Sequence, residues 1–490
     1  MINFGEFLPD QSDFNNPGTT VATNVIPAAT GYTSINSLAP VSGVADEKIV
    51  SMYAAKNDEG AFALYAADRT KIYRLDATDS SLSNESKSGN YSTGANDKWR
   101  FVQFGEDVIA TNFADPIQYK AAAAGGLFAD LSADAPKAKY IAVVRDFVFT
   151  GYTNESTDGN RPWRVRWSGI NDHTSWAIDP VTQADFQDIS DLGYVTGLVG
   201  GEYATILLEK GIVRGSYIGS PLIFQFDKVE TNRGCKVPNS VCNVGHTVFY
   251  LSDDGFYMFD GQSSKAIGAE KINKFFLDDF NSGFSQNMSA SVDPVNQTVV
   301  WSYPSRESIN GTPDKLLIYK YTLNRWSTAE VVADTIAPVY TSGYTLENLD
   351  NISSSVDTLP ASLDSAFYRG GEFFFAASKD KKIQSFTGAT LPAIIETAEF
   401  EAKPGFNSVI RNIVPYVTVF QSQSAAVTAQ VASRSKQVDE SSFGTASSLN
   451  SDNYIPVRSS GRYHKIRLNI SGGWKKAQGI DVDVSTIGRR

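Results

Sequence analysis

A short strand-and-turn motif recurs seven times along the chain. The central residues of the seven copies are Ile72, Ile117, Val165, Val213, Tyr257, Ile318 and Ile383. Successive copies are separated by 45, 48, 48, 44, 61 and 65 residues. A period of about 40 to 50 residues is typical of propeller blades, which stack around an axis because one small sheet cannot bury its own faces. The sequence therefore predicts an all-β chain with a β-propeller of five to seven blades.

The copies contain a common hairpin pattern, in which two apolar runs are joined by a polar turn. Gly-Glu-Asp at 105–107, Arg-Asp at 145–146 and Asp-Asp-Gly at 253–255 provide three of these turns. Segments rich in Ser, Asn, Asp and Gly at 77–98, 152–162 and 341–362 are expected to form long loops between strands. One short helix is predicted at 272–280.

The chain divides into three regions by pattern. Residues 1–42 have turn residues and no strand alternation, and predict an extended N-terminal arm laid over the body or over a neighbouring subunit. Residues 43–393 carry the repeats, and residues 394–490 predict a separate C-terminal β-sandwich. The strands expected in this last region are 397–400, 409–418, 425–433, 463–471 and 479–485.

Charge is distributed unevenly between these regions. From Ile394 onward the chain has 12 Lys and Arg and 8 Asp and Glu, a net charge of +4, so the preceding residues carry −15 of the total of −11. An acidic surface repels phosphate, which argues against tight nucleic-acid binding by the repeat region. It is compatible with a channel through which DNA passes without being held.

Residues suited to catalysis are few. The three histidines, His173, His246 and His464, are far apart and have no metal-ligand pattern around them. Paired carboxylates are the remaining alternative, because some propellers are glycosidases that use two acids. The candidates are Glu209, Asp253, Asp254 and Asp260. Since Asp-Asp-Gly also suits a hairpin turn, the sequence favours a protein that is not an enzyme and has no cofactor or catalytic metal.

A basic strip lies near the C-terminus. Between residues 458 and 476 there are six basic residues and no acid, with two aromatic residues interleaved. The six are Arg458, Arg462, Lys465, Arg467, Lys475 and Lys476, and the aromatic residues are Tyr463 and Trp474. A solvated strand face, a protein interface and a DNA contact are all compatible with this pattern.

Three segments together resemble the tail hub or nozzle proteins of short-tailed bacteriophages, also called packaged-DNA stabilisation proteins. The first is Asn24-Val25-Ile26-Pro27 with Gly31-Tyr32, and the second is Ser240-Val241 with Ser252-Asp253-Asp254-Gly255-Phe256-Tyr257. The third is Gly461-Arg462-Tyr463-His464-Lys465-Ile466-Arg467-Leu468, followed by Gly473-Trp474 and Gly479-Ile480-Asp481-Val482-Asp483. The resemblance extends over the whole chain in outline. It implies that the N-terminal arm leads directly into the propeller.

The resemblance also implies a function and partners. A homo-oligomeric, six-copy ring would extend the DNA channel below the portal and adaptor proteins of the virion tail. It would retain the packaged genome until ejection and anchor spikes, fibres or a needle. The residues expected to make protein contacts are Asn24, Ile26, Pro27, Gly31, Tyr32, Arg462, Arg467 and Trp474.

Two rival functions stay open from the sequence. One is a propeller glycosidase or lyase that acts on bacterial surface polysaccharide, and the other is a bacterial binding propeller unrelated to virions. The start of the chain lacks a basic leader with an apolar run, and no window has the roughly 18 consecutive apolar residues that span a bilayer. We therefore expect synthesis in the bacterial host's cytoplasm and no membrane insertion.

Overall fold

The seven repeats form a series of small antiparallel sheets in a computed structural model of the chain. The structure describes residues 1–14, 16–59, 61–76, 79–340, 349, 353, 355–359, 362–363 and 373–488. Strands dominate this part of the chain, and the longest helix in it has seven residues. The prediction of an all-β chain is confirmed.

The N-terminal arm contains five short strands. They are β1 (Ile2–Asn3), β2 (Thr19–Thr23), β3 (Val25–Pro27), β4 (Tyr32–Ser34) and β5 (Ala39–Pro40). Phe4 and Phe7 are each only 2% exposed, so the apolar side chains of this segment are buried within the chain. Burial of two phenylalanines supplies several kcal/mol toward ordering the segment, at about 1.5–3 kcal/mol for each side chain.

The first three repeats each form a four-stranded sheet. The first is β6 (Ser51–Lys56), β7 (Phe62–Ala67), β8 (Ile72–Leu75) and β9 (Leu82–Asn84). The second is β10 (Arg100–Phe104), β11 (Asp107–Thr111), β12 (Gln118–Ala121) and β13 (Ala129–Asp130). The third is β14 (Lys137–Val144), β15 (Phe147–Glu155), β16 (Gly159–Trp167) and β17 (Asp185–Asp188). In each sheet the strands are paired in sequence order.

The next three repeats follow the same order. The fourth is β18 (Val195–Val199), β19 (Ala204–Leu208), β20 (Ile212–Gly219) and β21 (Ile223–Glu230). The fifth is β22 (Cys242–Val244), β23 (Thr247–Ser252), β24 (Gly255–Phe259) and β25 (Ser264–Ala266), followed by the helix α1 (Asn273–Asp279). The sixth is β26 (Ser289–Asp293), β27 (Thr298–Tyr303), β28 (Lys315–Lys320) and β29 (Arg325–Ala329).

The seventh sheet is assembled from two distant parts of the chain. Its first three strands are β30 (Thr335–Tyr340), β31 (Phe373–Lys379) and β32 (Lys382–Ser385), and its fourth is β5 of the arm. Pro40 pairs with Gln384, and Ala39 pairs with Ser385. The repeat centres predicted from the sequence lie in the third strand of each sheet, or next to it for Ile117.

Neighbouring sheets contact one another through their first strands. These contacts join β6 to β10, β10 to β14, β14 to β18, β22 to β26 and β26 to β30. Between the fourth and fifth sheets, Gly197 of β18 lies against Val241, the residue that precedes β22. Strand β30 of the seventh sheet also contacts β6 of the first.

Two-residue loops join the strands of several hairpins. Phe104 pairs with Asp107 and Val144 with Phe147, which leaves Gly105-Glu106 and Arg145-Asp146 as the loops. Gly105 has φ of +58° and Arg145 has φ of +50°, as the favoured two-residue hairpin turns require. The polar turns read from the sequence therefore lie at these hairpin ends.

The C-terminal region forms longer strands. They are β33 (Ala393–Thr397), β34 (Phe400–Glu401), β35 (Asn407–Val419), β36 (Ala425–Arg434), β37 (Ser447–Ser448), β38 (Ile455–Gly461), β39 (Tyr463–Gly472) and β40 (Trp474–Gly488). The strand predicted at 397–400 instead spans the junction of β33 and β34, because the apolar run that is buried in the sheet begins earlier, at Ala393.

Strands of the arm complete both C-terminal sheets. β1 and the hairpin β3–β4 pair with β40, in a sheet that continues through β35 to β38. β2 lies between β29 and β33, so it joins the sixth repeat to the sheet β33-β39-β36-β37. Facing residues of the two sheets, including Trp474, Val427 and Leu468, share one buried cluster with Trp301 and Trp326 of the sixth repeat.

One of the predicted long loops is a strand hairpin, and another lies largely outside the described residues. Residues 152–162 form the end of the β15–β16 hairpin, with a turn only at 156–158, so the prediction of a long loop there is wrong. Polar composition indicated a loop, but the backbone pairing of β15 with β16 continues to Glu155 and Gly159, and polar Thr153 and Glu155 are buried in the hairpin. The predicted loop at 341–362 lies largely outside the described residues.

Candidate functional site

A cavity lies between the second, third, fourth and fifth sheets, and we call it the inter-sheet cavity. Its larger chamber has a volume of about 300 Å³ and is lined by β10, β14, β18 and the start of β22. Val102, Ile141 and Leu198 supply part of its wall. Asn243 is an exposed residue at its edge, so the chamber is reached from solvent.

A smaller chamber of about 130 Å³ shares Arg100, Tyr140 and Pro238 with the larger one, and we call it the basic chamber. Lys98 and Lys139 also line it. A side pocket of about 40 Å³ shares Lys98 and adds Lys48, Arg69 and Asp334. All three spaces are therefore adjacent and share wall residues.

The basic chamber and side pocket have an excess of positive charge. Their walls contain five basic residues and two acidic residues, a formal excess of three positive charges. The basic residues are Lys48, Arg69, Lys98, Arg100 and Lys139, and the acids are Asp97 and Asp334. This excess stands in a region whose total charge is strongly negative.

Only some of these cations have a carboxylate partner. Lys139 Nζ lies 3.0 Å from Asp97 Oδ1, and Lys48 Nζ lies 2.7 Å from Asp334 Oδ1. Lys98 Nζ instead donates to the carbonyl oxygens of Met288, at 2.8 Å, and of Asn287, at 3.3 Å. Backbone carbonyls offer a partial negative charge and do not neutralise an ammonium group.

Arg100, like Lys98, contacts uncharged groups. Its Nη2 donates to the side-chain oxygen of Asn239, and its guanidinium carbon lies 5.9 Å from the centre of the Tyr140 ring. The side-chain amide of Asn239 in turn donates to Gln286 O at 2.7 Å, which orients its oxygen toward Arg100. Within the described residues, neither Arg100 nor Lys98 forms an ion pair with an acid.

The protonation of these groups reflects their surroundings. Burial, reinforced by the positive charges of Arg100 and Lys48, lowers the pKa of Lys98 to about 7. Burial also lowers the pKa of Arg100 and raises that of Asp334. A lysine with this pKa gains or loses its proton near neutral pH, so a bound anion would change its charge state.

These cationic residues were missed by reading the sequence for motifs. Lys98 lies two residues before β10, and Lys139 is the third residue of β14. They stand at different distances from the hairpin turns that follow, so no repeated basic position in the sequence indicated them. Lys98 and Lys139 line the same chamber because of how the repeats stack, and this stacking could not be predicted from the sequence.

The residues expected to make protein contacts lie partly in the arm, where they hold it to the rest of the chain. Asn24 donates to Pro392 O and accepts from the Glu330 N–H, each at 2.8 Å. The hydroxyl of Tyr32, 1% exposed, donates to Gly5 O at 2.8 Å, and burial holds its pKa well above the usual 10.

Three further arm residues pack in the same way. Ile26 and Pro27 are buried in β3, and Ile26 contacts side chains of the sixth and seventh repeats. Gly31 has φ of +72° and lies so close to β40 that an added Cβ would be 2.0 Å from Ala477 O. The intermolecular contacts predicted for these five residues stay predictions.

The C-terminal basic strip is largely engaged within the chain. Arg462 Nε lies 2.9 Å from Glu401 Oε1, and Arg467 Nε lies 2.5 Å from Glu396 Oε1. Trp474 is fully buried, and its indole N–H has no hydrogen-bond partner among the described residues. Arg458 and Lys475 are exposed and form no ion pair within the described part of the chain.

The carboxylates considered for glycoside hydrolysis make local contacts. Glu209 accepts the Tyr194 N–H at 3.1 Å, and Asp254 accepts the Tyr257 hydroxyl at 2.6 Å. Asp260 accepts two backbone N–H groups, whose hydrogen bonds lower its pKa.

The histidines have separate environments. His173 Nε2 lies 3.2 Å from Asp107 Oδ2, and the His246 ring lies beside Tyr203. His464 is buried, with its two ring nitrogens each 2.7 Å from a serine hydroxyl, those of Ser408 and Ser433. No group of three or more His, Cys, Asp or Glu in the described residues is arranged to hold a metal ion.

Comparison with known proteins gives little further identification. No family model and no curated protein matches the chain. Two solved structures of the extracellular domain of BT4673 from B. thetaiotaomicron, titled as a putative hybrid two-component and a putative one-component system, are similar at 10% identity. They cover 86% of this chain, with TM-scores of 0.40 and 0.39. The chain spans about half of their length, 48% and 46%.

None of the helices in the described ranges has the length and apolar character needed to cross a bilayer.

Proposed function

We propose that the seven repeats are the blades of a closed seven-bladed β-propeller, and that the arm and residues 394–490 form a β-sandwich attached to it. Contacts between successive first strands, and between β30 and β6, support closure. So does the seventh sheet, in which β5 from the arm pairs with β32. A blade that contains β5 of the arm and β30–β32 joins distant parts of the chain and so holds the ring of sheets together.

The protein is, in this proposal, a structural virion component: the ring-forming tail hub or nozzle of a short-tailed bacteriophage. Six copies extend the DNA channel below the portal and adaptor proteins, help to retain the genome until ejection and anchor spikes, fibres or a needle. DNA passes through without sequence-specific binding.

The observation that carries the proposal is the course of the first 42 residues. They complete the two C-terminal sheets, then add β5 to the seventh sheet, and lead at once into β6. This matches the arrangement that the resemblance to tail hub proteins implies, in which the opening segment runs directly into the propeller.

Charge and side-chain contacts support a structural role over the glycosidase alternative. The acidic region before Ile394 suits a channel wall that does not hold DNA. The hydrogen bonds of Glu209, Asp254 and Asp260 to nearby backbone or hydroxyl groups are those of turn-stabilising carboxylates.

Oligomeric state tests the proposal directly. Purified full-length protein should elute as a hexamer in size-exclusion chromatography with light scattering, and negative-stain images should show a six-fold ring. Arg458→Glu with Lys475→Glu should weaken this ring in a salt-dependent way, because these exposed cations pair with no acid in the described part of their own chain. Lys274→Glu, on the exposed face of α1, is the matched control.

A persistent monomer at the highest soluble concentration would contradict the hub. If that monomer also cleaved bacterial capsular polysaccharide, with loss of cleavage on Asp254→Asn, the enzyme alternative would replace it. Cleavage that survived this substitution would exclude Asp254 as the acid and still contradict the proposed role.

A further inference from the structure

We propose that the inter-sheet cavity is a binding site for a small phosphate-bearing anion, with the phosphate group held in the basic chamber by Lys98 and Arg100. None of the residues expected to make protein contacts lines this cavity. The inference is therefore tested independently of the proposed function.

Charge favours an anion in these spaces. A formal excess of three positive charges lines the basic chamber and the side pocket, and Arg69, Lys98 and Arg100 form no ion pair among the described residues. Lys98 and Arg100 are half-buried. Cations withdrawn from water are normally paired, because removing a charge from water without a partner is costly. An anion entering the basic chamber would supply the missing counter-charge.

The geometry of the two cationic side chains also suits a phosphate group. A guanidinium presents several N–H groups in a planar fork that suits phosphate oxygens, and an ammonium adds a compact point charge. Arg100 already has one direction of its fork oriented by Asn239, and no other side-chain hydrogen bond of Arg100 is formed among the described residues. The 130 Å³ chamber is large enough for one tetrahedral oxyanion and too small for a nucleic-acid strand.

The larger chamber suits the organic portion of a phosphate-bearing ligand. The larger chamber shares Arg100 and Tyr140 with the basic chamber and has apolar wall residues, among them Val102, Ile141 and Leu198. A phosphate monoester would place its phosphate against the cations and its organic portion in this second space. Exposed Asn96 and Asn243 stand at the edges of the two chambers, where solvent reaches them.

Isothermal titration calorimetry of the full-length protein tests the site. Inorganic phosphate is titrated at constant ionic strength and pH 8, and saturable binding of one phosphate per chain is expected. Arg100→Gln and Lys98→Met should each weaken it about thirtyfold or more, as loss of one partner of a buried charge pair does. Arg458→Gln and Lys475→Met, exposed on the C-terminal region, are the matched controls and should bind as the unaltered protein does.

Proton uptake provides a second readout that does not depend on affinity alone. Lys98 is largely neutral at pH 8 when the site is empty, since its pKa is about 7. A bound phosphate favours the charged form, so binding should take up a proton in the wild-type protein and none in Lys98→Met. Titrations in two buffers of different ionisation enthalpy measure this uptake, and circular dichroism confirms that each variant is folded.

Glycerol 3-phosphate distinguishes the two sources of the phosphate group. If glycerol 3-phosphate binds more tightly than inorganic phosphate, the larger chamber holds the organic portion of the ligand. If the two probes bind equally, the site takes free phosphate. Absence of saturable binding by both probes, or equal binding by folded Arg100→Gln and Lys98→Met, overturns the inference. A monomeric full-length protein that still binds phosphate would contradict the hub alone.

Discussion

Single residues show how closely the arm is fitted to the C-terminal sheets. Gly31 has a positive φ and lies against the backbone of β40, where a side chain has no space. A glycine here reflects both the left-handed conformation and the close approach of two backbones. One methyl group is enough to disturb the contact.

Gly31→Ala is therefore expected to lower the free energy of unfolding by about 1–3 kcal/mol, because it adds strain and a backbone clash. Urea denaturation followed by tryptophan fluorescence measures the change. Gly125→Ala is the matched control, since Gly125 has open space around its Cβ position and no positive φ. Equal stability of the two variants would show that the β3–β4 hairpin moves away from β40 at little cost.

The buried side chain of His464 makes the stability of the protein depend on pH. Burial lowers its pKa below the usual 6.5, so the folded protein holds it neutral between two serine hydroxyls. The unfolded chain binds a proton there at a higher pH than the folded chain does. Stability therefore falls as pH decreases from about 6.5 toward the folded-state pKa.

His464→Gln should remove this part of the pH dependence. Melting temperatures measured from pH 7.5 down to pH 4.5 should fall less steeply for the variant than for the unaltered protein. His246→Gln is the control, because His246 is exposed and its loss leaves the buried serine contacts intact. Parallel pH profiles for all three proteins would mean that His464 does not contribute.

At the scale of elements, the arm behaves as part of two sheets and of one repeat. β2 joins β29 to β33, and β5 completes the seventh sheet. Without these strands the backbone groups of β33 and β32 would lose their partners, and the residues that cover Trp326 and Ile395 would be absent. The arm is therefore a stabilising element of its own chain.

Deletion of residues 1–40 is expected to cause a large loss of stability, visible as a melting transition lowered by more than ten degrees or as insoluble protein. Loss of several kcal/mol shifts the transition of a large domain by about 2–4 °C for each kcal/mol. Deletion of residues 1–3 removes only β1 and should have a much smaller effect. A stable, soluble protein lacking residues 1–40 would contradict this role.

Sequence predicted some elements well and others incompletely. The helix expected at 272–280 is α1, and the strands expected at 409–418 and 425–433 lie within β35 and β36, because their apolar periodicity is strong. The strands of the arm were not predicted. Segments of two to five residues have too little periodicity, and apart from the β3–β4 hairpin their partners lie hundreds of residues away in the chain.

At the scale of the whole molecule, one buried cluster connects the fifth and sixth repeats to the C-terminal sheets. Phe256 and Trp301 belong to it, and so do Val427 of β36 and Trp474 of β40. Two regions that share a core lose stability together, because neither keeps its apolar residues buried without the other.

The full-length chain should therefore unfold in a single transition in differential scanning calorimetry, and residues 394–490 expressed alone should not fold. Far-ultraviolet circular dichroism and amide chemical-shift dispersion report on the fragment. Two separate transitions in the intact protein, or a folded fragment, would show that the C-terminal sheets are independent of the repeats and the arm.

The sequence by itself determined the all-β class, the seven repeats and the polar hairpin turns, because each of these depends on residues close together in the chain. Only the tertiary structure decided which strands the arm completes and which cations meet in the inter-sheet cavity. Lys48, Lys139 and the neighbouring pair Lys98 and Arg100 come from three separate segments of the chain, and nothing local relates those segments. Their proximity follows from how the sheets contact one another, which is a property of long-range packing and not of any one segment.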